Sequence, residues 1–273
     1  MKYSEELGLE LKEKYSPEGS TLKLAQNRML DELIWFDHVM RKNDIPYWLD
    51  FGTLLGAKRH QGFIPWDDDV DVCIPNEYRK KLRRAFLKEK HSHYILQCPI
   101  TDRYCFTPWD VVRDKKSRYI QEDIESGILH NLKKYQGFQI DIFRVSDKIS
   151  LRCKSIVDRF EFAPWFIKRC GNLHTNILFK NIAYILFFMQ SVIWTILDCL
   201  GKKKGYYNYS YGINYKVEIP KSVIFPLSTI CFEGHEFLAP RDVDSYLRIL
   251  YGDYMEVPDV ICQHNVIEYK VWE

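Results

Sequence analysis

A chain of 273 residues can bury a full core, and it fits one catalytic domain with a helical appendage better than two independent domains. Its 39 basic and 37 acidic residues leave a formal charge of +2, which excludes the overall positive field behind nonspecific nucleic-acid binding. The eight cysteines (Cys73, Cys98, Cys105, Cys153, Cys170, Cys199, Cys231, Cys262) are scattered without a C-x-x-C pair. This spacing argues against a structural zinc site or disulfide framework and for small buried hydrophobes in a reducing compartment. Met1-Lys2-Tyr3-Ser4-Glu5-Glu6 lacks the apolar core of a secretory signal, so a cytoplasmic protein is expected.

From Thr21 to Lys42 the residues Leu22, Ala25, Met29, Leu33, Phe36 and Met40 recur at three- and four-residue steps, and Asn43-Asp44 and Pro46 close the run; an amphipathic helix is predicted. Tyr47 to Phe51 reads as a short strand, Gly52-Thr53 as a turn, and Leu54 to Arg59 as a brief helix ended near Gly62. In Phe63-Ile64-Pro65-Trp66-Asp67-Asp68-Asp69-Val70-Asp71-Val72-Cys73-Ile74 the second half alternates acidic and apolar side chains with the period of a strand, so Asp69 and Asp71 are expected on one face. A basic helix follows from Asn76 to about Lys90, then strands at Tyr94 to Gln97, Thr107 to Val112 and Gly137 to Val145. The mixture points to an α/β or α+β catalytic core.

After about Ser150 the composition shifts. Residues 151–200 are helix-prone and apolar, and Asn181 to Leu197 carry no charge, a stretch at the short edge of what spans a bilayer. Tyr184, Ser191, Thr195, Asp198 and Lys202 fall along one helical stripe, and Gly201-Lys202-Lys203-Lys204-Gly205 follows directly. The pattern predicts an amphipathic helix that either lies peripherally on a membrane surface or packs on the core. A hairpin around Cys231 to Phe237 and a helix from Arg241 to about Tyr251 close the readable pattern. The expected organisation is a catalytic core over 1–150, a helical insertion over 151–205, and a C-terminal part over 206–273 that completes the catalytic domain.

Two carboxylates facing one way at i and i+2 on a strand repel each other, and burying them unpaired is costly. A divalent cation removes that conflict, and oxygen-only ligands favour Mg²⁺ or Mn²⁺, the ions that bridge carboxylates to substrate phosphates. Phosphoryl transfer is the matching chemistry. Asp141, in the apolar segment Gly137 to Phe143, is the third ligand or the general base. Trp66, Asp67 and Asp68 are read as turn or supporting residues around that cluster. Gly52-Thr53 stands where backbone N–H groups approach a phosphate, with Lys58 and Arg59 a turn later and Arg113 beyond a predicted strand as further phosphate contacts. His264 is a candidate to reach the site from the C-terminal segment.

The run from Leu49 to Val72, with Asp50-Phe51-Gly52-Thr53 and Trp66-Asp67-Asp68-Asp69-Val70-Asp71 inside it, resembles the signature of the LicD family, which includes bacterial phosphocholine transferases and fukutin-related ribitol-phosphate transferases. The likeness extends through Gly137 to Phe143 and to Tyr246-Leu247 with Tyr251-Gly252-Asp253-Tyr254-Met255; residues 150–230 fall outside it. The resemblance implies an α+β, nucleotidyltransferase-like mixed sheet flanked by helices, with a helical insertion. It also implies Gly52-Thr53 facing the donor phosphates and Asp69, Asp71 and Asp141 around the metal. The implied donor is CDP-linked, such as CDP-choline or CDP-ribitol. The implied product is a phosphodiester on a glycan or lipid-linked oligosaccharide, of the kind found in lipopolysaccharide, teichoic acid or capsule, with release of CMP. The implied location is the cytoplasmic face of a bacterial membrane. Two other readings use the same acids: a glycosyltransferase whose Asp-x-Asp motif holds a metal against a nucleotide sugar, and a non-catalytic glycan-binding protein with a structural cation.

Overall fold

Helix α1 (Glu5–Tyr15), capped by the Ser4 hydroxyl, opens the chain, an element the charge alternation did not announce. The computed structural model describes residues 2–121, 133–159, 177–258, 261 and 266–272. The helix predicted over Thr21–Lys42 is α2 (Thr21–Lys42), N-capped by Ser20 Oγ, which accepts from the Lys23 amide at 3.2 Å. Its inward face is the periodic run itself: Ala25, Met29, Leu33, Phe36 and Met40 are all buried, each large side chain worth about 1.5–3 kcal/mol of transfer free energy.

The strand predicted over Tyr47–Phe51 is only β1 (Trp48–Leu49), because Asp50 already caps a helix, α3 (Phe51–His60). Gly52 and Thr53 therefore lie in the first turn of α3 rather than in a turn preceding it. The acidic segment then enters β2 (Val70–Pro75), and a short 3-10 turn leads into the basic helix α4 (Arg79–Lys88). Strands β3 (Tyr94–Gln97) and β4 (Asp110–Asp114) follow, the latter starting three residues later than predicted, after the Pro108-Trp109 corner. Strand β5 (Ser117–Gln121) leaves the main sheet, and β6 (Gln139–Ser146) returns to its centre.

The main sheet runs β1-β2-β6-β4-β3. Strands β2 and β6 are parallel, in register from Val70↔Ile140 to Pro75↔Val145, and the other pairs along this path are antiparallel. It is a mixed sheet flanked by helices, an α+β fold. Val70, Val72, Ile140, Ile142 and Val112 have no or almost no exposure, so the sheet's centre lies within the main core, to which α2 contributes.

The apolar region contains α5 (Leu151–Asp158) and α6 (Ile177–Leu200). One face of α6 packs on the body through two small clusters, Ala183 and Phe187 with Phe106, and Trp194 with Ile149, Val157 and Tyr211. Strand β7 (Tyr206–Tyr209) then extends the main sheet beside the end of β6 and pairs with β8 (Ile219–Pro220), which leads into the short helix α7 (Lys221–Ile224). The predicted hairpin is β9 (Ser228–Phe232) and β10 (His235–Ala239), turning at Glu233-Gly234, both at positive φ. Helix α8 (Val243–Tyr251) follows, and β11 (Val266–Val271) pairs antiparallel with β5.

Two contacts set the path of the loop between α3 and β2. Gly56 lies against the chain's return, where an added Cβ would stand 2.4 Å from the Gly62 carbonyl oxygen and 3.1 Å from the Ile64 amide nitrogen, both backbone atoms. The hairpin tip secures the same corner, with Glu233 Oε1 accepting from the Phe63 amide at 3.0 Å. Gly56→Ala is expected to destabilise the protein by about 1–3 kcal/mol. Gly205→Ala, at a glycine with nothing within 4 Å, is expected to stay within about 0.5 kcal/mol of the parent. Urea denaturation followed by circular dichroism measures both.

Candidate active site

The central geometric fact is a register pair. Asp71 on β2 and Asp141 on β6 are direct partners across the parallel pair, so their Cα atoms stand one strand spacing apart, roughly 5 Å, on the same face. Seventy residues of chain separate them, and the sheet brings them together. Both are buried, and burial raises the pKa of each carboxyl; for Asp71 the charges of Asp69, Asp141 and Asp67 add to the effect. Asp69 sits just before β2 rather than within it. Burial, then the neighbouring charges of Asp69 and Asp68, drive Asp67 well above the ordinary carboxylate range.

Around this cluster the side chains hold specific atoms. Gln139 Nε2 donates to Asp141 Oδ2 at 3.1 Å, whereas Asp141 Oδ1 is buried and has no hydrogen-bond partner among the described residues. The Trp109 indole N–H lies near enough to temper the Asp141 shift without completing a hydrogen bond. Thr53 Oγ1 accepts from the Asp71 amide at 2.8 Å, so the first turn of α3 fixes the backbone that carries the metal-ligand candidate. An added Cβ at Gly52 would stand 2.6 Å from Asp67 Oδ2, so the missing side chain there admits a carboxylate to the helix N-terminus.

Behind the cluster lies a second network that sequence reasoning did not find. Asp50, fully buried, caps α3 at the Phe51 amide (2.9 Å), and its own amide donates to the Asp71 carbonyl at 3.0 Å. Its carboxylate accepts from the Tyr209 and Tyr246 hydroxyls, each at 2.9 Å, and Trp48 Nε1 donates in turn to Tyr246. Phe51 adopts φ +39°, a left-handed conformation that costs a bulky residue of order 1–3 kcal/mol. Stacking on Tyr209 at 4.9 Å and an edge contact with Phe143 at 5.1 Å hold it there. Tyr215 and Tyr251, whose pKa values are raised by burial and to a lesser extent by the Asp50 and Asp71 charges, bring the C-terminal part of the chain near the cluster.

Residues 44–173 match the LicD/FKTN/FKRP nucleotidyltransferase domain. The chain carries a LicD-family domain. Along most of its length it is similar to the lipopolysaccharide cholinephosphotransferase LicD of Haemophilus influenzae, at 27% identity over 252 residues, 87% of this chain and 92% of that protein. An uncharacterized protein of Rickettsia prowazekii is 31% identical over 125 residues, of which this chain spans about half (47%). The human ribitol 5-phosphate transferase FKRP is 53% identical over a segment of 36 residues, 13% of this chain and 7% of that protein.

The other phosphate-contact candidates are distributed more widely over the LicD domain. Lys58, at the far end of α3, pairs with Asp244 on α8 at 3.3 Å. Arg59 is buried; its Nη1 donates to the carbonyls of Tyr254 and Glu256 and its Nε to His60 Nε2, so its donors serve the C-terminal Tyr-Gly block although its charge is still felt at Asp67. Arg113, on β4 opposite Gln139, is buried with Nε on Gln97 and Nη1 on the Gly137 carbonyl; its charge lowers the Asp141 pKa from the same face of the sheet, against the rise that burial causes. Lys133 shares that role and was not singled out from the sequence. Trp66 packs between Tyr15 and His60, and Asp68 accepts from the Tyr119 hydroxyl at 2.8 Å. His264 lies outside the described residues.

Among the described residues no group of three carboxylates, imidazoles or thiols is set to hold a metal ion as the side chains lie. The chemistry of the donor set nevertheless suits a hard cation. Asp69, Asp71 and Asp141 offer only oxygen, the Asp71 and Asp141 pKa values are raised by burial, and Asp141 Oδ1 is an orphaned buried acceptor.

Asp50 gives a pH signature. Burial pushes its pKa from 3.8 up to about 6, against the opposing pull of the Phe51 amide and the two tyrosines. A raised folded-state pKa means that the stability associated with protonated Asp50 is fully present below about pH 4 and lost as pH rises through 6, a change of about 3 kcal/mol. In Asp50→Asn that contribution disappears. The stability difference between variant and parent is expected to move by about that amount in the variant's favour between pH 4 and pH 7, as read from urea midpoints across the range.

Proposed function

We propose that this LicD-domain protein is a metal-dependent transferase that moves a phospho-alcohol group, such as phosphocholine, from a CDP-linked donor to a hydroxyl of a cell-surface glycan, with release of CMP. The observation that carries this reading is the register pair of Asp71 and Asp141, with Asp69 beside it. The likeness to a lipopolysaccharide cholinephosphotransferase over most of the chain supports the class of group transferred and of acceptor.

Asp69, Asp71 and Asp141 are the residues that would hold Mg²⁺ or Mn²⁺. Bound there, the ion would neutralise charge on the donor diphosphate and help align entering and leaving oxygens. The first turn of α3 places Gly52 and Thr53 beside Asp67 and Asp71, where the positive end of the helix faces incoming phosphate. Asp141 Oδ2 is occupied by Gln139, which leaves Oδ1 to accept the proton of the attacking hydroxyl. The acceptor oxygen forms a bond to the phosphorus bearing the alcohol, the bond from that phosphorus to the bridging oxygen breaks, and CMP departs with the bonding pair. Arg113 and Lys133 favour the ionised form of Asp141 before the proton arrives.

Incubation of the purified protein with labelled CDP-choline, CDP-ribitol and UDP-sugars tests this directly. CMP release from one of the CDP-alcohols is expected, lost on chelation and restored by Mg²⁺ or Mn²⁺. Asp141→Asn is expected to reduce the rate by about 10²–10⁴-fold. Asp71→Asn is expected to abolish turnover while leaving the circular dichroism spectrum intact. Transfer from a UDP-sugar in place of CMP release would replace this reading by a glycosyltransferase, and collapse of the fold in Asp71→Asn would replace it by a structural cation.

A further inference from the structure

Helix α6 is divided lengthwise into two unlike faces. Ala183, Phe187, Gln190 and Trp194, at three- and four-residue spacing, are buried against the body. The opposite face carries Leu178, Ile185, Met189, Val192, Ile196 and Leu200, also at helical spacing and all exposed: Ile185 is 54% and Leu200 77% accessible. From Leu178 to Leu200 this stripe runs about 33 Å at 1.5 Å per residue. A contiguous apolar strip of that length on a folded surface marks an interaction site.

The charges bordering the stripe are of one sign. Exposed Lys202 and Lys203 follow its C-terminal end, Lys180 near the other end turns to the body with its Nζ over the Tyr104 ring at 5.7 Å, and Asp198 is the single acid between residues 177 and 205. Asp198 faces the body, where it accepts from Asn76 Nδ2 at 2.9 Å and from the Ser146 hydroxyl. An apolar strip with a basic C-terminal end and no outward acid on the helix complements a bilayer surface bearing anionic headgroups.

We infer that α6 docks this protein on an anionic membrane surface, lying in the plane of the interface with the Leu178–Leu200 stripe immersed and the Phe187–Trp194 face still seated on the domain. The helix is long and apolar enough to cross a bilayer. Spanning, however, would strip it from both clusters that seat it and carry Gln190 and Asp198 into hydrocarbon. In-plane docking keeps these contacts. It also ties the membrane to the catalytic sheet, because Asp198 grips Ser146 at the end of β6, five residues and roughly 17 Å of strand from Asp141. Such docking does not depend on which group the active site transfers, and vesicle binding reads it separately from turnover.

The test is co-sedimentation of the full chain with phosphatidylcholine vesicles, with or without phosphatidylglycerol, at low salt. Binding is expected to the anionic vesicles, with at least a tenfold loss in Ile185→Asp/Ile196→Asp and a weaker, salt-sensitive loss in Lys202→Glu/Lys203→Glu. All of these side chains point away from the core, and circular dichroism and thermal melting are expected to match the parent. A short bifunctional thiol reagent joining Phe106→Cys to Phe187→Cys, positions whose rings are in contact at 5.8 Å, would lock the helix to the body, and binding is expected to survive it. Indifference to anionic vesicles, binding unaffected by the two aspartates, or concentration-dependent dimerisation that those aspartates abolish would overturn membrane docking. Loss of binding in the locked variant would overturn the in-plane orientation.

Discussion

Everything at this site follows from placing like charges next to each other where water cannot separate them. Parallel pairing of β2 and β6 puts Asp71 beside Asp141, and the turn before β2 adds Asp67, Asp68 and Asp69. A cluster of this kind raises its own pKa values and destabilises the fold unless protons or cations relieve it. Arg113 and Lys133 act on the Asp141 side, whereas Asp71 has chiefly other acids around it. That imbalance is the physical reason for proposing a hard cation and phosphate chemistry at this face of the sheet.

The supporting structure resists the repulsion by holding backbone rather than by neutralising charge. Thr53 grips the Asp71 amide, Asp50 grips the Asp71 carbonyl through its own N–H, and Gln26 on α2 holds the Asp67 carbonyl at 2.9 Å. Asp50 is itself a buried acid, made tolerable by two tyrosine hydroxyls and the first amide of α3. Its tyrosines, Tyr209 on β7 and Tyr246 on α8, lie outside the segment that matches the family domain, so the last quarter of the chain completes the support of a site whose carboxylates all come from the first 141 residues. The left-handed Phe51 belongs to the same arrangement, since its ring stacks on Tyr209 while its amide meets Asp50.

The apolar segment joins this architecture at the other end of β6. Helix α6 seats one face on the domain and leaves the other bare, and its last turn is bonded to the strand that carries Asp141. Asn76 reinforces the junction, since its Oδ1 accepts from the buried Arg144 on β6 at 2.8 Å while its Nδ2 holds Asp198. Helix α6 and the sheet that carries the acid cluster are thus one mechanical unit.

Periodicity alone determined α2 to the residue, the hairpin around Cys231 to Phe237, the strands that carry Asp71 and Asp141, and the helical nature of the apolar segment, because each is a local pattern of burial or turn chemistry. Asp69, Asp71 and Asp141 stood out as candidates in the sequence, since acids flanked by Val and Ile at strand spacing are unlike a solvated loop. Only tertiary structure decided that Asp71 and Asp141 are register partners, as strand pairing across seventy residues leaves no mark in either segment. It also decided that Gly52-Thr53 starts a helix instead of preceding one, because the cap on Asp50 depends on hydroxyls from positions 209 and 246. The same holds for Arg59, which looked like a phosphate contact one turn along a helix and instead donates to the backbone of the C-terminal block. A cation's sequence position tells where it is attached, whereas its partner is chosen by whichever distant chain packs against it.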